Sequence, residues 1–64
     1  MNARSHAIQA ERYAQQALDA ELLAHLAEER GDVITSRRHF ETYESLIELS
    51  RWHQNAAVAT QGHA

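Results

Sequence analysis

The chain has 64 residues, no Cys, no Pro and a formal net charge of −3. A chain this short sits at the lower limit of independent folding and forms one domain, and without Cys neither a disulfide nor a thiolate zinc site can brace it. Nine acidic residues against six Arg leave no overall positive field for nucleic acid or an anionic membrane surface.

Ala, Leu, Glu, Gln and Arg dominate and Gly occurs only at 31 and 62, a composition that favours uninterrupted helix and predicts an all-α fold. Met1 to His6 lacks the apolar core of a signal peptide, and the apolar runs are too short to span a bilayer, so a soluble, cytoplasmic protein is expected.

Nothing from Ala3 to Arg30 breaks a helix, and Asn2 or Ser5 can cap its start, so the first predicted helix covers about 3–30. One of its faces is an Ala seam at heptad spacing, Ala3, Ala10, Ala17 and Ala24, flanked by Ala7, Ala14, Ala20 and Ala27. The other is a bulkier stripe of Ile8, Leu18, Leu22 and Leu26. Small seams permit close approach of a second helix and bulky stripes fill a core, so Leu18, Leu22 and Leu26 are expected in the core, with Ala10 and Ala17 at an interface with a partner.

Arg30, Gly31 and Asp32 then supply stop and start signals in succession. Gly31 suits the left-handed position after a helix and Asp32 suits the N-cap of the next, so the turn is placed at 31–32. Capping accounts for both residues without treating Arg-Gly-Asp as a recognition tripeptide. A connection this short makes the helices antiparallel, each about 40 Å long.

The second predicted helix covers about 33–58, followed by a frayed tail, 59–64. At 100° per residue, Val33, Ser36, Phe40, Tyr43, Leu46, Ile47, Ser50, Ala57 and Val58 share the face expected to meet the first helix, with Phe40, Tyr43, Leu46 and Ile47 as core. A second patch, Ile34, Leu49, Trp52 and Ala56, lies on roughly the opposite side and is assigned to a partner or oligomer interface. Two apolar faces on each helix predict that the hairpin dimerises, most simply into a four-helix bundle with twofold symmetry.

Three polar groupings carry candidate chemistry. Glu21, His25 and Glu28 recur on one side of the first helix, and an antiparallel register in which paired residue numbers sum to about 63 brings His39 near His25. Carboxylate and imidazole are ordinary ligands for divalent zinc, iron or manganese, so these four residues form a candidate metal set. The Glu-x-x-His spacing of di-iron bundles is absent, and a flank of interhelical hydrogen bonds is the plainer reading. His39, Leu46 and His53 share a heptad position at which histidines could meet across a dimer axis and respond to pH. Arg30, Arg37, Arg38 and Arg51 could contact phosphate, the basis of an alternative reading as an RNA-binding bundle, although Glu41, Glu44 and Glu48 neutralise that side and Glu41 is placed to pair with Arg37 or Arg38. No Gly-rich phosphate loop and no Ser beside a base at a recognisable spacing points to catalysis, so no enzyme is expected.

Residues 17–50 resemble one unit of a tetratricopeptide repeat. Ala20, Leu23, Ala24 and Ala27 stand at the first-helix positions, Gly31-Asp32 at the turn, and Ser36 and Phe40 at the small and aromatic positions of the second helix. Tyr43 replaces a second small residue, no Pro ends the second helix, and there is one unit where such proteins stack about three. The resemblance implies helix-pair geometry and a protein-interaction role. The expected function is accordingly a non-enzymatic interaction module, an adaptor, chaperone-like or regulatory protein that binds itself and a larger protein.

Overall fold

A computed structural model describes residues 2–61. It consists of two helices, α1 (Ala3–Glu29) and α2 (Val33–Gln61), packed as an antiparallel hairpin. The hairpin measures 52 × 13 × 13 Å.

Local chemistry sets each boundary. Asn2 has extended backbone angles, and its side-chain oxygen accepts the Ser5 N–H at 2.8 Å, satisfying a donor that has no partner inside α1. At the other end Gly31 takes φ +77°, a left-handed conformation that costs glycine nothing. That turn lets the Gly31 N–H donate to the Glu28 carbonyl and the Asp32 N–H to the Ala27 carbonyl, both at 2.9 Å, closing the paired bonds of a Schellman motif. Asp32 then starts α2: its Oδ1 accepts the Thr35 N–H at 3.1 Å and its carbonyl accepts the Ser36 N–H at 3.0 Å. The Thr35 side chain and N–H, with Arg30 and Arg38 nearby, hold the Asp32 carboxyl below its ordinary range, so it is an anion at the positive end of α2.

α1 thus ends one residue before the expected boundary. α2 runs beyond it: residues 59–61, expected to fray, are helical. No Gly or Pro interrupts that segment, and the Thr60 hydroxyl donates to the Ala56 carbonyl at 2.8 Å, the bond that Thr makes within a continuing helix. Residues 62–64 of the expected tail lie outside the described residues.

The seam between the helices is built almost wholly from small side chains. Ala10, Ala17, Ala20, Ala24 and Ala27 of α1 are buried, with Ser36, Ser50 and Ala57 of α2. Ala10, Ala17 and Ala24 repeat every seven residues, as do Ser36, Tyr43, Ser50 and Ala57, and this period keeps one stripe of each helix facing the other along their length. Closeness is recorded directly by Ser50, whose hydroxyl donates to the backbone carbonyl of Ala10 across the seam at 2.8 Å.

The faces of α1 are therefore exchanged relative to expectation. Ala10 and Ala17, assigned to a partner interface, form the hairpin's own contact, while Leu18, Leu22 and Leu26, assigned to the core, stand out 58%, 59% and 41% exposed. With Ala and Ser in the seam the backbones approach until side chains as large as Leu cannot lie between them, so the Leu stripe turns outward. Phe40, Tyr43, Leu46 and Ile47 flank the seam and are half-buried, and Val33 and Val58, expected to face α1, are exposed.

Candidate functional site

Two features stand apart from the seam. One is the apolar surface that the hairpin leaves outside; the other is a cluster of aromatic and imidazole rings where the N-terminal turns of α1 meet the C-terminal turns of α2.

The apolar surface covers both broad sides of the hairpin. On one side Ala7, Glu11 and Ala14 line an open groove with Gln54, Asn55 and Val58. Continued at helical spacing, that side carries Leu18 and Leu22 of α1 and Ile47, Phe40 and Val33 of α2. His25 also lies on this side, its ring T-shaped against that of Phe40 with centroids 5.5 Å apart. The opposite side is marked by Tyr13 stacked on His53 at 5.6 Å, and at helical spacing it carries Leu23, Leu46, Leu49 and Ala56, with Trp52 and Ile34 at its outer edge. Leu49, Trp52 and Ile34 of the patch assigned to a partner are 43%, 60% and 70% exposed, and Ala56 is half-buried.

The ring cluster joins four side chains. His6 and His53 are each only 9% exposed and their Nδ1 atoms lie 2.9 Å apart. Trp52 makes T-shaped contacts with both, with centroids 5.6 Å from His6 and 4.8 Å from His53. Burial first, and the neighbouring His53 second, hold the His6 imidazole below its ordinary pKa. The sequence points to His53 but to the wrong partner: it pairs with His6 inside its own hairpin, so it is not free to meet His39 across a dimer axis. His6 escapes sequence reasoning altogether. The signal available was its place in the seam's heptad series, seven residues before Tyr13 and fourteen before Ala20.

The candidate metal set does not converge. His25 Nδ1 lies 3.3 Å from Glu28 Oε2, but both side chains point to solvent, Glu21 is half-buried one turn back, and α2 offers His25 the ring of Phe40 instead of His39. Among the described residues no group of three or more His, Asp or Glu is placed to share a metal ion. Arg30, Arg37, Arg38 and Arg51 are all exposed, with Arg51 about 20 Å along α2 from Arg38, so they form no continuous basic patch. The expected pair of Glu41 with Arg37 or Arg38 is not formed: the ion pair found among the described residues is His25 with Glu28, and two long exposed side chains gain little by holding one geometry in water. Among the described residues no helix is long and apolar enough to cross a membrane. Comparison with known proteins returns no matching family model, no matching curated protein and no matching solved structure.

Proposed function

We propose that this chain is a small non-enzymatic interaction module, which associates with a second copy of itself through the side bearing Leu23, Leu49 and Trp52 and leaves the side bearing Leu18 and Leu22 for a larger protein. The observation that carries this reading is the inverted distribution of side-chain size: among the described residues no large side chain is fully buried, whereas Leu18, Leu22, Leu23, Leu49 and Trp52 all lie in water. A hairpin whose interior is Ala and Ser removes little apolar area, and apolar side chains at helical spacing on an outer face are what a second pair of helices covers. Trp is also among the residue types enriched at the energetic centres of such contacts.

Area supports a partner of similar size. A compact chain of 7.3 kDa exposes about 4,200 Å², whereas this one exposes 4918 Å². The excess, about 700 Å², is close to the roughly 800 Å² that each partner buries in a standard interface.

Light scattering on the purified chain and on Trp52→Glu and Leu22→Glu variants tests the assignment. The unmodified chain and Leu22→Glu are expected at twice the chain mass, and Trp52→Glu at the single-chain mass with its helicity retained. Equal masses for all three, or loss of the dimer in Leu22→Glu alone, would remove Trp52 from the contact.

A further inference from the structure

The ring cluster lies within one chain, and Trp52 joins it to the face proposed above to meet a second copy, so its response is read at a concentration low enough to keep the chain monomeric. The centroids of the His6 and His53 rings are 5.1 Å apart, close to the largest separation that an Nδ1 to Nδ1 distance of 2.9 Å and the two ring radii allow. The rings thus point at each other nearly head-on, with both Nδ1 positions on one line. That geometry fits one shared proton. It leaves no room for a metal ion, whose bonds to two imidazoles would need a wider gap or lone pairs converging to one side.

Proton inventory follows from the chemistry of imidazole. In the neutral pair one ring carries its hydrogen on Nδ1 and donates it, while the other carries its hydrogen on Nε2 and accepts at Nδ1. Each ring makes its hydrogen bond through Nδ1 alone, and no buried side-chain nitrogen among the described residues lacks a partner, so both Nε2 atoms reach solvent. A first proton adds to the bare Nε2 of the donor ring, and the resulting imidazolium donates a stronger, charge-assisted bond to the second. A second proton must take the Nδ1 lone pair that accepts that bond. It removes the hydrogen bond and leaves two cations face to face between the helices.

We propose that His6 and His53 form a proton-operated latch: the pair holds the open end of the hairpin closed while it carries at most one extra proton, and a second proton parts the N-terminal turns of α1 from the C-terminal turns of α2. Among the described residues no acidic side chain pairs with either ring to offset the second charge. From α1 the neighbouring ring is Tyr13, from α2 they are Trp52 and His53, and neither histidine makes an ion pair with Asp or Glu. Glu11, the acidic residue of that end of α1, lines the groove on the other side with Gln54 and Asn55. Within the described residues, the charge that acts on His6 is that of a protonated His53, which is also positive. Because its folded-state pKa is depressed, the unfolded chain binds more protons. The stability that the second proton removes is present above the ordinary imidazole value of 6.5 and is lost as pH falls through the lower, folded-state value. The turn end is closed by the Ala20, Ala24 and Ala27 seam, and its one titratable pair, His25 with Glu28, lies outside that seam with both side chains exposed, so this end stays shut.

Hydrogen exchange read by mass spectrometry, corrected for the intrinsic pH dependence of the amides, tests the latch in the full chain between pH 7.5 and 5. Exchange within residues 3–14 and 50–61 is expected to accelerate by up to about tenfold per pH unit below pH 6.5, the slope of a one-proton linkage, while residues 20–40 do not change. Emission of Trp52, the chain's one Trp, should follow the same curve. His6→Asn keeps a hydrogen-bonding group near the Nδ1 position without a titratable proton, so it should hold the end closed at both pH values. His53→Asn should behave alike and stands in if the first variant does not fold. Unchanged exchange of both terminal segments in the unmodified chain down to pH 5, or the same acid response in either Asn variant, would overturn the proposal.

Discussion

Gly31 is the residue on which the hairpin's geometry turns. A side chain there would meet nothing within 4 Å, so its intolerance of other residues is a matter of backbone conformation alone. At φ +77° an L-residue places Cβ against its own carbonyl, and Gly31→Ala is expected to destabilise the hairpin by about 1 kcal/mol. The measurement is the urea midpoint at constant m-value, and an unchanged midpoint would mean that the Schellman bonds persist with another turn. This part of the fold was legible in the sequence because its cause is local: Arg30, Gly31 and Asp32 carry stop, turn and cap chemistry within three residues. His6 is the opposite case. Its partner lies 47 residues away, so only the antiparallel register could have found it, and the actual register, set by Ser50 reaching the Ala10 carbonyl, differs from one drawn by counting outward from the turn.

At the scale of the helix, what the sequence shows and hides is equally physical. Periodicity locates apolar stripes, and α1 has two, but it does not say which of them meets α2. The decision belongs to size. From Ala10 to Ala27 the Ala and Ser seam allows the backbones to come together, and once they have done so the bulky stripe has no space inside. A reading by hydrophobicity puts Leu18, Leu22 and Leu26 in the core because each Leu gains more by burial than an Ala does. It overlooks that two facing Leu rows would hold the helices too far apart for Ser50 to reach across.

Substitutions on the two faces of α1 should therefore reverse the usual pattern. Ala17, fully buried, has no room for added methylenes, and Ala17→Leu is expected to cost about 2 kcal/mol or more through overpacking. Leu22→Ala, at a position 59% exposed, should cost no more than about 0.5 kcal/mol in the monomer. Urea denaturation at concentrations low enough to keep the chain monomeric measures both, and a larger loss from Leu22→Ala would mean that the Leu stripe is the true interior.

For the molecule as a whole, the question is whether one hairpin is the unit of stability. Its length of 52 Å against a width of 13 Å gives a high ratio of surface to interior, and its seam supplies little apolar burial against the entropy of ordering about sixty residues. If association with a second copy supplies the difference, folding and association are one equilibrium, and the melting temperature depends on concentration. Each tenfold rise in chain concentration is then worth about 1.4 kcal/mol per dimer, which for an assembly of roughly 130 residues raises the midpoint by about 3–6 °C. Circular dichroism melts across a hundredfold range should show that displacement at pH 7.5 and lose most of it in Trp52→Glu, whose midpoint is expected to fall to that of the isolated hairpin. A midpoint independent of concentration in the unmodified chain would show that the Ala and Ser seam is sufficient by itself. The outer apolar faces would then serve only a different protein, and the self-association reading would fall while the fold stood unchanged.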